Sequence, residues 1–256
     1  MLFVLSPAKK LDYDTPLAIN KHTQPFFVPQ AAELINILKT KSAEEISALM
    51  SLSPALSELN AGRYVAWTTT FNQQNSRQAL FAFNGDVYEG LEAQTLNEAQ
   101  VDWAQEHIAI LSGLYGVLRP LDLMQPYRLE MGTRLENAKG KNLYAFWGSQ
   151  IAAYLNARLQ ALDARVVVNL ASEEYFKSVD LKTLDARVVQ CVFQDYKNGV
   201  YKIISFNAKR ARGLMARFAI ETKAQKPEDL QLFDKEDYRF DPEVSSPDKL
   251  VFRRKQ

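Results

Sequence analysis

Apolar and polar positions follow two rhythms along this chain. Met1–Leu5, Ile108–Leu111 and Arg165–Leu170 are short runs of aliphatic and β-branched residues without helical spacing, which predicts buried strands. Apolar residues three and four apart predict helices over Ala31–Leu38, Ser76–Ala82, Asn97–His107, Tyr144–Leu162 and Asn207–Phe218. Between them, Thr15–Pro29 is polar and proline-punctuated, a long irregular loop. Asn198-Gly199 is a strong hairpin signal and joins predicted strands Arg187–Tyr196 and Val200–Phe206. Asn84-Gly85 carries a second turn signal, Pro227 starts a short helix, and Tyr238–Phe240 with Lys249–Arg254 reads as edge strand or extended wrap.

Two short helices have explicit boundaries. Ser42 and Glu45 form a capping box for Ala43–Met50, and Ser53 with Pro54 starts the next helix. The tight turn between them suits a helix-hairpin-helix, whose second helix offers amides to a backbone phosphate. The usual glycines are replaced by Ser51-Leu52-Ser53, and an ordinary αα-corner explains the same letters. No repeat, low-complexity tract or linker interrupts the pattern. The expected fold is α+β (mixed α/β): one compact domain spanning 1–256, a central mixed sheet, peripheral helices and a helix-hairpin-helix-like element.

One stretch organises the rest. Leu111–Gly132 follows a predicted strand and contains Gly113, Gly116, Pro120 and Pro126, which fix its path. Between those points sit Arg119, Asp122, Tyr127, Arg128 and Glu130. A stiff segment with this much polar chemistry is either a structural loop with satisfied arginines or a binding element.

Composition narrows the classes. At 256 residues and 47% hydrophobic, the chain can bury a substantial core. Its net charge of +1 draws it globally to neither nucleic acid nor membrane, so a basic site requires local clustering. The start, Met1–Leu5, is too short for a signal sequence, and no apolar run approaches the ~20 residues of a membrane span. The single cysteine, Cys191, lies among valines and reads as buried and inert. A cytoplasmic protein follows. With only His22 and His107 and one cysteine, zinc-type clusters are excluded, no metal or other cofactor is expected, and no dinucleotide or Walker fingerprint appears.

What remains are groups that bind anions. Lys9 follows the first strand. Asn169 ends the Arg165–Leu170 strand, and Ser172 can cap a helix carrying Glu174, Tyr175 and Lys177, which reads equally as a ligand-binding corner or a routine connection. Lys209, Arg210, Arg212 and Arg217 crowd one helix with no acid among them, a phosphate-binding candidate unless acids elsewhere neutralise it.

These stretches carry a resemblance. Ser6-Pro-Ala-Lys9, Phe83-Asn-Gly-Asp-Val-Tyr88, Leu111–Asp122, Pro126-Tyr-Arg-Leu-Glu-Met-Gly132, Asn169-Leu-Ala-Ser172 with Glu174–Lys177, and Ala208–Gly213 resemble, in order, the YaaA peroxide-stress family. The resemblance implies a cytosolic bacterial protein made under hydrogen peroxide stress that limits free iron and oxidative DNA damage. It also implies DNA binding through a positively charged cleft, a helix-hairpin-helix and an unusual mixed α/β fold, with no enzymatic reaction attached.

Two readings follow. In the first, Lys9, Arg119, Arg128, Asn169, Ser172, Lys177, Lys209, Arg210 and Arg212 contact DNA phosphates largely without regard to sequence, and the chain leans to a monomer. In the second, Glu130, Glu174, Tyr127 and Lys177 serve an undescribed enzyme acting on a nucleotide, nucleobase or damaged DNA. An iron-sequestering role is poorest, because hard iron sites need clustered carboxylates and histidines. Convergence of Lys9, Arg119, Arg128, Lys177, Lys209 and Arg212 on one cleft is the expectation that tests both.

Overall fold

The computed structural model describes residues 1–255. Its centre is an eight-stranded mixed sheet. From one edge to the other run Arg239–Phe240, Lys249–Arg254, Arg187–Lys197, Val166–Leu170, Leu2–Leu5, Ile108–Ser112 and Gly116–Leu118, with Val200–Lys202 folded back on Arg187–Lys197. The inner strands from Lys249–Arg254 to Ile108–Ser112 are all parallel. The two outermost strands and the Val200–Lys202 return are antiparallel.

The order of the parallel strands sets the location of the site. The chain steps from Leu2–Leu5 to one side for Ile108–Ser112, then to the other for Val166–Leu170, Arg187–Lys197 and Lys249–Arg254. Neighbouring strands therefore lead away in opposite directions where Leu2–Leu5 meets Val166–Leu170. Such a switch opens a crevice outside the strands' carboxyl ends, where ligands of open α/β sheets bind. Leu2–Leu5 is fully buried, as its uninterrupted apolar run predicts.

The capping boxes at Ser42 and Asn97 form as sequence chemistry dictates. Asn198 and Gly199 both take positive φ, 57° and 83°, and close the predicted hairpin.

Several elements differ from expectation, each for an identifiable reason. Tyr144–Leu162 is two helices, Leu143–Trp147 and Gln150–Ala161, broken at Gly148 with φ of 48°. Ser76–Ala82 is helical only over Ala79–Ala82, because Arg77–Gln78 pairs as strand with Leu123–Met124. Gly85 is not in a tight turn: it is extended and precedes the helix Asp86–Leu91, while Phe83–Asn84 pairs with Lys10–Leu11. The second hairpin strand stops at Lys202, and a helix runs from Ser205 to Thr222, with the Asn207 amide bound to Asp195 at 2.9 Å. Lys249–Arg254 is no edge strand. It is interior because Phe252 stacks on Phe193 at 5.4 Å.

The long helix Ser205–Thr222 lies backbone to backbone against Asp86–Leu91. A Cβ on Gly213 would stand 1.8 Å from the Val87 carbonyl oxygen, and one on Gly90 would stand 2.2 Å from that of Arg210. Only glycine permits this approach, which ties the basic helix to the short helix beside the first strand's end.

Candidate functional site

The crevice starts with two serines. Ser6 directly follows the first strand, and Ser172 follows Val166–Leu170. The Ser172 amide donates to Ser6 Oγ at 2.8 Å, and the Ser6 hydroxyl donates to Ser172 Oγ at 3.3 Å. The Tyr88 hydroxyl donates to the Ser6 carbonyl at 3.1 Å. Buried Asn169 turns the neighbouring loop by accepting the Ala171 amide at 2.9 Å. Ser172 then caps the single-turn helix Glu173–Phe176, as predicted.

The organising stretch supplies the third wall. Ser112 Oγ accepts the Tyr115 amide at 2.9 Å and lies 2.6 Å from the Tyr127 hydroxyl. Gly113 lets Leu129–Glu130 cross close above it, since a Cβ there would stand 2.2 Å from the Leu129 carbonyl oxygen. Residues 126–132 thus lie across the strand ends. The Tyr64 hydroxyl, from the helix Pro54–Ala66, donates to the Arg128 carbonyl and brings that helix to the rim.

Charge is concentrated here. Glu130 binds the Lys9 ammonium at 2.7 Å and the Arg128 guanidinium at 3.1 Å, so two cations share one carboxylate. The Glu174 carboxylate accepts the Gly132 amide at 2.9 Å. Lys177 lies 5.3 Å from the centroid of the Tyr144 ring, whose hydroxyl donates to the Glu174 carbonyl.

Several arginines pair with no acid; Arg77 and Arg158 are bound by backbone carbonyls instead, and two half-buried ones, Arg63 and Arg212, have neither an acid nor a carbonyl. Half-buried Arg63, adjacent to Tyr64 and Tyr13, makes only a 3.3 Å bond to Asn60 Oδ1, and burial pulls its pKa below the ordinary arginine value. Half-buried Arg212 makes no hydrogen bond or ion pair among the described residues, and burial lowers its pKa as well, with Cys191 the group beside it. Cys191 is one residue beyond Gln190, the register partner of Asn169, which places Arg212 near the same sheet edge.

Tyr64 and Tyr88 hold backbone carbonyls, and Tyr127 holds the Ser112 side chain. Burial pushes the phenols of Tyr64, Tyr88, Tyr127 and Tyr175 upward, so they are protonated at neutral pH. Free space among Lys9, Tyr127, Arg128, Glu130 and Tyr175 is only about 10 Å³, room for about one water. A cavity of about 570 Å³ lies at the opposite sheet edge, near Met1, Trp103 and His107, and is lined by none of the candidate residues.

The structure therefore gathers Lys9, Tyr127, Arg128, Glu130, Asn169, Ser172, Glu174 and Lys177 around the strand ends. Arg119 is elsewhere. Gly116–Leu118 runs antiparallel to Ile108–Ser112 and carries Arg119 back toward the strand starts, where it binds buried Asp122 at 3.0 Å. On the long helix Lys209 is exposed, Arg210 pairs with Glu236 at 2.7 Å, and Arg217 pairs with Glu221 at 2.7 Å. The helix extends past Phe218 and so acquires the acid that its central stretch lacks.

Sequence reasoning missed Ser6, Tyr13, Arg63, Tyr64 and Tyr88. Ser6 stands in the same Ser-Pro-Ala-Lys run as Lys9, and that proximity was its signal. Arg63 had none, because its helix buries polar residues and exposes leucines.

With this geometry in hand, comparison with known proteins is specific. The family model described as peroxide stress protein YaaA matches residues 1–244. The chain belongs to the YaaA peroxide stress protein family. It is 72% identical to a UPF0246 protein of Bordetella petrii over 255 residues and to one of Bordetella pertussis over 256, covering 100% of both chains in each case. A UPF0246 protein of a Polaromonas species is 64% identical over 256 residues, with 100% of this chain and 99% of that one covered. Membership supports a role in peroxide stress. Among the described residues no helix is long and apolar enough to cross a membrane.

Proposed function

We propose that this YaaA-family protein acts in peroxide stress by binding the phosphate backbone of DNA through the cationic crevice at the strand ends. The observation that carries the reading is the pair of half-buried guanidiniums, Arg63 and Arg212, without a carboxylate. Desolvating an unpaired cation is costly, and an external phosphate recovers that cost with charge-assisted hydrogen bonds. Lys9 and Arg128 add to the effect because Glu130 can neutralise only one of them.

Phosphate binding also suggests how iron-dependent damage is limited. A protein that neutralises phosphates releases their condensed counterions, iron(II) among them. Hydroxyl radicals would then form farther from the sugar and bases. The enzyme reading has less support: the space of about 10 Å³ among these side chains is too small for a nucleobase, and the buried Tyr127 phenol is protonated.

The test is duplex binding across salt concentration. The expected log–log slope is about −0.9 per phosphate neutralised. Replacing Arg63 and Arg212 together by alanine should weaken binding to all sequences alike and flatten the slope. Unchanged affinity in a folded double variant would refute the proposal.

A further inference from the structure

The helix pair Ala43–Met50 and Pro54–Ala66, which reaches the crevice rim only through Arg63 and Tyr64 at its far end, presents an unusual surface. Its second helix is inverted: Ser57, Asn60 and Tyr64 are buried, whereas Leu56 is 40% and Leu59 48% exposed. Burial of the two polar side chains is tolerated because each bonds to its own helix. The Ser57 hydroxyl donates to the Ser53 carbonyl at 3.0 Å, and the Asn60 amide donates to the Leu56 carbonyl at 2.7 Å.

The charge on this element does not fit a phosphate. From Ser42 to Gly62 there is no lysine or arginine, and Glu44, Glu45 and Glu58 are all exposed. The second helix's start is also occupied, because Pro54 has no amide proton and Ser53 Oγ takes the Leu56 amide at 3.4 Å. The surface is apolar and acidic.

A second apolar surface has the opposite sign. The ribbon Arg187–Lys197/Val200–Lys202 and the start of the long helix expose Val200 (56%), Ile203 (57%) and Phe206 (63%). Lys197, Lys202 and Lys209 surround them, and no acid occurs between Asp195 and Glu221. Asp195 is itself buried and bound by Arg254, Asn207 and Tyr238. The ribbon's inner strand stays paired with Lys249–Arg254 as far as Asp195, and Tyr196, Lys197 and the turn at Asn198-Gly199 extend past that pairing.

We infer that the ribbon of one copy docks on the helix pair of a second copy. Each surface repels its own kind and complements the other in charge, which favours a head-to-tail contact over a two-fold one. The charged residues substituted below do not include Lys9, Arg63, Arg128 or Arg212, so self-association and phosphate binding in the crevice are read by separate variants. An open head-to-tail contact repeats, producing short chains of copies rather than a closed dimer.

Sedimentation velocity of the full chain, freed of nucleic acid, tests this. Average mass should rise with protein concentration above the 29.1 kDa monomer. Glu44→Lys with Glu58→Lys should abolish the rise, as should Lys197→Glu with Lys202→Glu. All four changes in one chain should restore it, because the complementarity is then reversed rather than lost. All four positions are exposed, and circular dichroism checks that each variant is folded. A mass fixed at 29.1 kDa throughout would overturn the inference, as would a folded four-fold variant that stays monomeric. Loss of DNA binding by the lysine pair, without any self-association in the parent chain, would assign the ribbon to nucleic acid instead.

Discussion

Arg119 and Arg128 stand in the same stiff stretch of chain, yet they live in different worlds. Arg119 faces Asp122, whose side chain has no exposure, and the pair is closed: the guanidinium donates twice to Oδ1, and the Arg119 amide and the Thr23 hydroxyl supply the remaining bonds. Arg128 shares Glu130 with Lys9 at a rim that also holds Arg63. At the strand starts the Arg119–Asp122 pair is satisfied inside the protein. At the strand ends charge is left over, and leftover positive charge is what binds an anion. Arginine in a rigid loop is therefore no sign of function until its acids have been counted.

Breaking the closed pair should have the largest effect on folding. Asp122→Ala leaves a partly buried guanidinium without its acid and should cost roughly 3 kcal/mol, read as a lower urea midpoint. Arg128→Ala, at the rim, should cost about 1 kcal/mol or less while clearly weakening DNA binding. Equal destabilisation by both would erase the distinction between the two ends.

Glu130→Gln sharpens the contrast next. It keeps size and hydrogen-bonding reach but releases Lys9 and Arg128 from their shared acid, so DNA affinity should rise several-fold with protection of peroxide-stressed cells retained. Intact binding with protection lost would favour proton transfer by Glu130 and the enzyme reading instead.

The smallest effect concerns Cys191. Burial pushes its thiol up to about 12, so almost no thiolate exists at neutral pH. Peroxide should leave it unmodified in the folded protein, and mass spectrometry should find oxidation or alkylation there only after unfolding. Rapid native oxidation would make Cys191 a sensor, a role its environment opposes.

Much of this was legible from the sequence. Strand runs, the Ser42 capping box and the Asn198-Gly199 turn are local physics, and they form where the letters place them. The residues of the Ser6–Lys9, Pro126–Gly132 and Asn169–Lys177 stretches meet because each directly follows a parallel strand or crosses the strand ends. The misplacements came from longer range. Arg119 was misjudged because nothing local says that Gly116–Leu118 turns back along the sheet. Gln78 left its predicted helix for a two-residue ladder, with its side chain bound to the Ile19 and Lys21 carbonyls. Arg63 was invisible because its helix is inverted, so pattern reasoning pointed its polar face to water.

The central claim, that uncompensated cations at the strand ends bind phosphate, is tested most directly by the salt dependence of duplex binding. Lys9→Ala with Arg128→Ala should flatten the log–log slope by about 1.8. Lys21→Ala, which removes an exposed cation already paired with Asp102, should leave the slope unchanged. If the crevice variant keeps the parental slope, or Lys21→Ala lowers it equally, the strand-end crevice is not where DNA is held.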